Sequence, residues 1–568
     1  MKITMKNVAL YSAIAMLATN NVANAVDEIQ VYEKAKESKM PTAPEAAREA
    51  WKDDRFGMFI HWGPISQMGK QLSHSRKGKY KKNGKILPEV YDVQYKTFNP
   101  TKFNSDEIIG LAKRAGMNYS VFTAKHHAGF AMFDSKAGDY DIMSAPYKKD
   151  IVKMFADSSA KMDMDFGLYY SPRDWYHPDV DTENHDRYIK FYKTQMHELL
   201  TEYGPISELW FDGMGPGDWG DTAEEVMAEI RKYQPNAMVN DRGGVGADFY
   251  TPEHTVSYFN RDQLWEACHT TTGQWGFNPD VKAKPFKLLM EILLYTWGAD
   301  GNMLLNIGPR GDGSMNPLEL ERLEQLADWW QVHGEKSIRG TRGGPVKPGL
   351  WGVSTTKNDK VYLHVLNWPE DNSPLEFSAL DGHKIKATQI LSGGDVDVNM
   401  NDNGTFSVEV DKKHRGQVST TIELTIDNNI NAYDIVPKLR TESLTKTAKL
   451  TASEPGDLSV LTDSNAMTIW HAKKAKGDKS PIWVEMNWDK PVTIAALQTG
   501  RGEDWTTKNL PEIQIKDGNG KWKTIHKYKP KWNPVVTLKK PVTTSNLRLL
   551  VKGTKTYPLA ELELYPEL

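Results

Sequence analysis

The feature that most constrains this chain is a repeated strand–helix alternation across residues 26–340, in which each apolar strand runs into a polar or glycine residue. Asn118–Ala124 reads as a strand after a helix at Ser105–Ala115, where Ile108, Ile109, Leu111 and Ala112 make an apolar stripe. Phe166–Tyr170 follows a helical stretch at 150–161, and Glu208–Phe211 follows one at 186–203. Ala237–Asn240 follows 222–233, and Met303–Ile307 follows 286–297. The residues at the five strand ends are Lys125, Ser171, Asp212, Asp241 and Gly308. This alternation predicts an α/β barrel of the TIM-like (β/α)8 type, with its chemistry at the C-terminal rim of the strands.

After Ile338 the texture changes to period-two alternation, in Val361–Leu366, Thr405–Val410 and Thr420–Ile426. Polar turns such as Asn401-Asp402-Asn403-Gly404 separate these runs. Residues 341–438 therefore read as a β-sandwich. A polar stretch, Leu439–Lys449, reads as a linker to a second all-β unit at 450–568. There Trp483–Trp488, Val492–Thr499, Leu547–Val551 and Leu559–Tyr565 are the expected strands.

The N-terminus reads as an export signal. Lys2 and Lys6 precede the apolar run Val8–Ala18, and Ala23-Asn24-Ala25 is a small-x-small cleavage site, so residues 1–25 form the expected signal peptide. Once it is removed, the chain needs no membrane, and a periplasmic or secreted bacterial location is expected. Cys268 is the single cysteine, which excludes an internal disulfide. A net charge of −3 gives no reason to expect nucleic acid as a partner. The 18 tryptophans could stack on sugar rings or simply fill a core.

Glu208-Leu209-Trp210-Phe211-Asp212-Gly213 places a carboxylate at a strand end. Around it lie Arg55–Gly63, Thr123–Phe130, Gly167–Trp175, Asn240–Gly243 and Gly301–Asp312. Together and in this order, over about residues 40–345, they resemble the α-L-fucosidases of glycoside hydrolase family 29. The final unit resembles, more distantly, a discoidin-like (F5/8 type C) module, of a kind that often binds sugars.

The resemblance implies an exo-acting retaining α-L-fucosidase that uses two carboxyl groups and no cofactor. Asp212 matches the nucleophile, with Gly213 expected to leave room for the sugar. Glu253, in Phe249-Tyr250-Thr251-Pro252-Glu253, matches the acid/base in one subgroup, and Glu266 is the competing candidate. His61, His126, His127, Tyr169, Trp210 and Arg242 are implied sugar contacts, and Trp275 is implied to line the methyl side. The pair His126-His127 is not expected to share a metal, because strand neighbours point to opposite faces. Gly308–Gly313 lacks the ending of a phosphate-binding loop and reads as structural.

Two positions depart from the family pattern. Ala128 stands where an Asp usually follows the histidines, and His74 stands where an aromatic is expected near the sugar. An exo-α-L-galactosidase acting on algal galactan oligosaccharides is therefore an alternative, and a catalytically silent glycan-binding protein is another. In each reading the partner is an oligosaccharide or polysaccharide.

Overall fold

The computed structural model describes residues 40–566, apart from 255–263, 431–442, 463–469, 502–510, 529–534 and single positions 347, 350, 370, 381, 403, 476 and 555. The expected signal peptide lies outside the described residues.

Seven parallel strands form the first sheet: β1 (Phe56–Ile60), β2 (Tyr119–Lys125), β3 (Asp165–Tyr170), β4 (Glu208–Phe211), β5 (Met238–Val239), β6 (Glu266–Thr270) and β7 (Asn302–Ile307). Their spatial order is β5-β4-β3-β2-β1-β7-β6. The two edges of this sheet are joined by residues 249–253. Phe249 bridges Asn240 just beyond β5, and Tyr250 and Glu253 bridge Trp265 and Cys268 on the β6 side, all in parallel. The backbone N–H of Glu266 donates to Tyr250 O, and that of Cys268 to Pro252 O. The curled sheet thus closes into a ring, with 249–253 filling the gap between its edges.

Nearly every residue of these strands is buried, because helices cover the outer face and side chains fill the interior. Along β4 the alternation is plain: Leu209 and Phe211 join the outer core under the helices, whereas Trp210 joins the inner one. The outer helices are α1 (Ser105–Arg114), α2 (Ile151–Lys161), α3 (His185–Glu202), α4 (Thr222–Tyr233), α5 (Phe286–Gly298) and α6 (Pro317–Trp329). In α1 the predicted stripe Ile108, Ile109, Leu111 and Ala112 is buried. The Asn104 side chain caps it by accepting from the N–H groups of Asp106 and Glu107, a contact worth about 1 kcal/mol.

Beyond the barrel, Arg342–Gly343, Gly352–Lys357, Lys360–Val365, Ile385–Ile390 and Thr420–Ile426 make a five-stranded antiparallel sheet. It shares a core with the three-stranded sheet of Leu375–Phe377, Asp397–Met400 and Phe406–Glu409, through Val361, Leu363, Ile422, Phe377 and Phe406. This unit docks on α5: Val353 packs against Gly298, and the Tyr295 hydroxyl donates to Gly349 O.

The last unit is built on two long strands, Ile482–Arg501 and Val535–Val551. The two strands expected at 483–488 and 492–499 are one bent strand. Its register shifts between Asn487 and Val492, where Pro491 has no N–H to give the ladder. The expected linker also differs where it is described. Leu444–Thr447 is a 3-10 helix whose Leu444 packs on the last core and accepts from the Trp488 indole. Residues 443–449 therefore belong to the final unit, because apolar Leu444 finds a partner there; 439–442 lie outside the described residues.

Candidate active site

The strand ends gather the polar residues on one rim. Asp212 follows β4, and its Oδ2 accepts from the Tyr169 hydroxyl at 2.6 Å and faces His127 Nε2 at 3.2 Å. Its Oδ1 accepts from Arg242 Nη1 at 3.2 Å. The same Nη1 reaches Glu253 Oε2 at 3.3 Å. Arg242 is fixed from behind, donating from Nε to Thr251 Oγ1 and from Nη2 to Thr251 O, while the Thr251 hydroxyl donates to Asp241. The Asp212 side chain is 24% exposed and that of Glu253 36%, so both open to the pocket.

Their ionisation is pushed apart. Burial raises the Asp212 carboxyl, but His127, Arg242 and Arg173 outweigh it and hold the group well below the usual range. Burial also raises Glu253, and here the charge of Asp212 adds to it, while Arg242 and a hydrogen bond from Trp275 only partly offset the rise. One carboxyl is held as an anion and its neighbour is made a better proton carrier.

The imidazoles are ordered by small hydroxyl and amide groups. Asn306 Nδ2 donates to Trp275 O, so its Oδ1 must accept from His61 Nδ1 at 2.7 Å, which leaves His61 Nε2 with a lone pair. His126 Nδ1 accepts the His127 backbone N–H and lies 2.6 Å from Ser73 Oγ, so its proton sits on Nε2. His127 Nδ1 lies 2.6 Å from Ser171 Oγ, whose hydroxyl donates to Arg173 O, and Nε2 faces Asp212. Burial lowers His61 to about 4 and pushes His126 and His127 down as well.

The structure brings His61, His74, His126, His127, Tyr169, Arg242, Trp275, Asp212 and Glu253 together. Several expectations change in detail. Glu266 is fully buried inside the barrel, bonded to Trp210 and Tyr119, so it cannot meet a substrate at the rim. Trp210 is only 2% exposed and lies under the Arg242 guanidinium at 4.6 Å, so it forms the floor of the pocket and not its lining. Gly213 does not clear space for a sugar: at φ +74° a Cβ would stand 2.5 Å from Arg173 Nη2. His126 and His127 lie past the strand end, where strand neighbours need not diverge. β2 ends at Lys125, and donor atoms of His126, His127 and Asp212 lie within 4.8 Å of one another.

Ser73, Ser171, Thr251, Asn306 and Arg173 were missed in the sequence. Ser171 and Arg173 lie within Gly167–Trp175 and Thr251 within Phe249–Glu253, but those motifs do not say which side chains they hold, and Ser73 and Asn306 meet His126 and His61 only across the fold. Gly308, against the 275–277 backbone, serves the structural purpose read for its segment.

A parallel-stranded barrel that presents two carboxyls of opposed pKa shift in an imidazole-lined pocket has the parts a glycoside hydrolase needs. The model of the alpha-L-fucosidase family matches residues 20–335. Human plasma alpha-L-fucosidase is 30% identical over 364 residues, which span 56% of this chain and 76% of that protein. Alpha-L-fucosidase isoenzyme 1 from Paenibacillus thiaminolyticus is similar in structure, with a TM-score of 0.61 and 30% identity over 67% of this chain and 100% of its own. The alpha-L-fucosidase from Vibrio sp. strain EJY3 shares the fold over 93% of this chain and 99% of its own, with a TM-score of 0.65 at 23% identity. The chain belongs to the alpha-L-fucosidase family, glycoside hydrolase family 29.

Proposed function

We propose that this protein is an exported, exo-acting retaining α-L-fucosidase. The observation that carries the mechanism is that Asp212 and Glu253 share Arg242 Nη1, at 3.2 and 3.3 Å, while their protonation is driven in opposite directions. Their nearest oxygens can be no farther apart than the sum of those two distances. Retaining enzymes need about 5–5.5 Å, and inverting enzymes need about 6.5–9.5 Å to admit a water.

In the first step an Asp212 oxygen attacks the anomeric carbon as the glycosidic C–O bond breaks. Glu253 gives its proton to the departing oxygen. In the second step the Glu253 carboxylate takes a proton from water, whose oxygen attacks the same carbon and releases Asp212. His61, His126, His127 and Tyr169 supply donors and acceptors for the sugar hydroxyls, and Trp275 supplies an apolar wall.

One observation favours α-L-galactosides as a second reading. His74 packs on His126, His127 and Trp175, and its buried Nδ1 has no partner among the described residues. Burial lowers His74 to about 3, so it stays neutral and can bond one more hydroxyl. Comparing kcat/KM on p-nitrophenyl α-L-fucoside and α-L-galactoside tests this, with the product anomer read by NMR. A fucoside preference with an α product is expected. Galactoside preference would replace the substrate, and a β product would overturn the retaining mechanism.

A further inference from the structure

Beneath the pocket the barrel interior holds two acids that neither step uses. On β4, Glu208, Trp210 and Asp212 succeed one another at two-residue spacing, so they form one inward column from buried interior to open rim. Glu208 is 1% exposed and accepts from the Trp51 indole at 2.9 Å. Glu266 is 0% exposed, and its Oε1 accepts from the Trp210 indole at 3.1 Å while Oε2 accepts from the Tyr119 hydroxyl. Glu208 Oε1 has no hydrogen-bond partner among the described residues.

Glu266 is thus a collecting acceptor. Its two oxygens take an indole N–H from β4 and a phenol O–H from β2. Leaving such buried donors without an acceptor is costly, so the arrangement admits one orientation of the Trp210 ring. That ring carries the site. Arg242 lies over it at 4.6 Å, and Tyr169, which donates to Asp212, stacks on it at 5.8 Å with an interplanar angle of 20°.

We propose that Glu266 is a positioning residue: by accepting the Trp210 indole N–H, with Tyr119 holding it in place, it sets the shelf that aligns Arg242 and Tyr169 on the two rim carboxyls. The inference rests on the fucosidase reading of that rim. Substrate contacts are not involved, so loss of Glu266 acts on the reacting geometry and not on sugar affinity.

The test is a double-mutant cycle on turnover of the better p-nitrophenyl glycoside, using the full chain. Glu266→Gln offers one acceptor oxygen where two donors converge, and kcat is expected to fall about tenfold or more with KM within about twofold. Trp210→Phe keeps a ring but removes the N–H. In that background Glu266→Gln is expected to lose most of its effect on kcat, a coupling of about fivefold or more.

Tyr119→Phe removes a second donor without touching Glu266, and serves if Glu266→Gln does not fold. A similar fall in kcat at fixed KM is expected. Independent, multiplying effects of Glu266→Gln and Trp210→Phe would overturn the proposal. So would a wild-type kcat in both Glu266→Gln and Tyr119→Phe, or a loss that appears in KM alone. Asp212→Ala in the same assay separates the two readings. If it keeps turnover, the assignment of the rim is wrong; if it is dead while Glu266→Gln is fully active, only the positioning role fails.

Discussion

Asp212 and Glu253 are tied to one nitrogen atom: Arg242 Nη1 donates to the first at 3.2 Å and to the second at 3.3 Å. The two carboxyls feel that shared cation differently, because Asp212 also takes hydrogen bonds from Tyr169 and His127. Glu253 has instead the Asp212 charge raising it. The two carboxyls are therefore shifted in the opposite directions that the proposed double displacement would use.

The pH dependence of kcat/KM under the proposed double displacement follows. Asp212 must be deprotonated, and its carboxyl is held below the usual value of 3.8, so activity rises with pH only on a strongly acidic limb. Glu253 must be protonated, and its carboxyl is raised above 4.5, so activity falls as pH climbs through that raised value. A bell-shaped profile is expected, and Glu253→Gln should lack the alkaline limb in its residual activity. A limb that survives in that variant would assign the proton to another group.

Removing the shared cation should move both limbs the same way. Arg242 lowers both carboxyls, so Arg242→Ala raises both and shifts the whole bell to higher pH. It should also cost about 10²–10³ in kcat, the scale seen when one aligned electrostatic donor is lost. An unshifted profile with a reduced maximum would mean that Arg242 only binds the sugar.

Azide distinguishes the two carboxyls by product stereochemistry. In Glu253→Ala the glycosyl-enzyme forms and azide takes the place of the incoming water, so the product is the α-fucosyl azide. In Asp212→Gly azide occupies the nucleophile's face and gives the β-fucosyl azide. NMR of the azide adducts reads the outcome, and the same anomer from both variants would refute the assignment of faces.

Behind the site, Lys125 and Asp174 form a buried pair at 3.2 Å, with side chains 0% and 2% exposed. Asp174 Oδ1 also accepts the backbone N–H groups of Tyr176 and His177, which shapes the loop beside His127. Asp174→Ala strands a buried ammonium and should cost about 3–5 kcal/mol, read as a lowered urea midpoint. Lys125→Met with Asp174→Leu should recover part of that loss. If the single variant is as stable as the parent, the pair is not held as described.

Much of this molecule follows from local pattern. Helix 222–233 and strand 208–211 fall at the predicted residues because their apolar spacing and flanking polar residues are local signals. The 249–253 segment was legible only as a family motif. Its hydrogen bonds go to residues that the curled sheet brings alongside it, which no short window of sequence contains.

The sequence by itself determined the strand–helix alternation and the strand-end position of Asp212, since these depend on order and periodicity, while the histidines around it were legible through the family resemblance. Tertiary structure alone decided which glutamate reaches the rim. Glu253 and Glu266 are 13 residues apart and chemically the same, yet closure of the barrel lifts one to the open end and sinks the other beneath Trp210. The physical reason is that depth in a barrel depends on strand register, and register is set by hydrogen bonds between distant segments, not by neighbours in the chain.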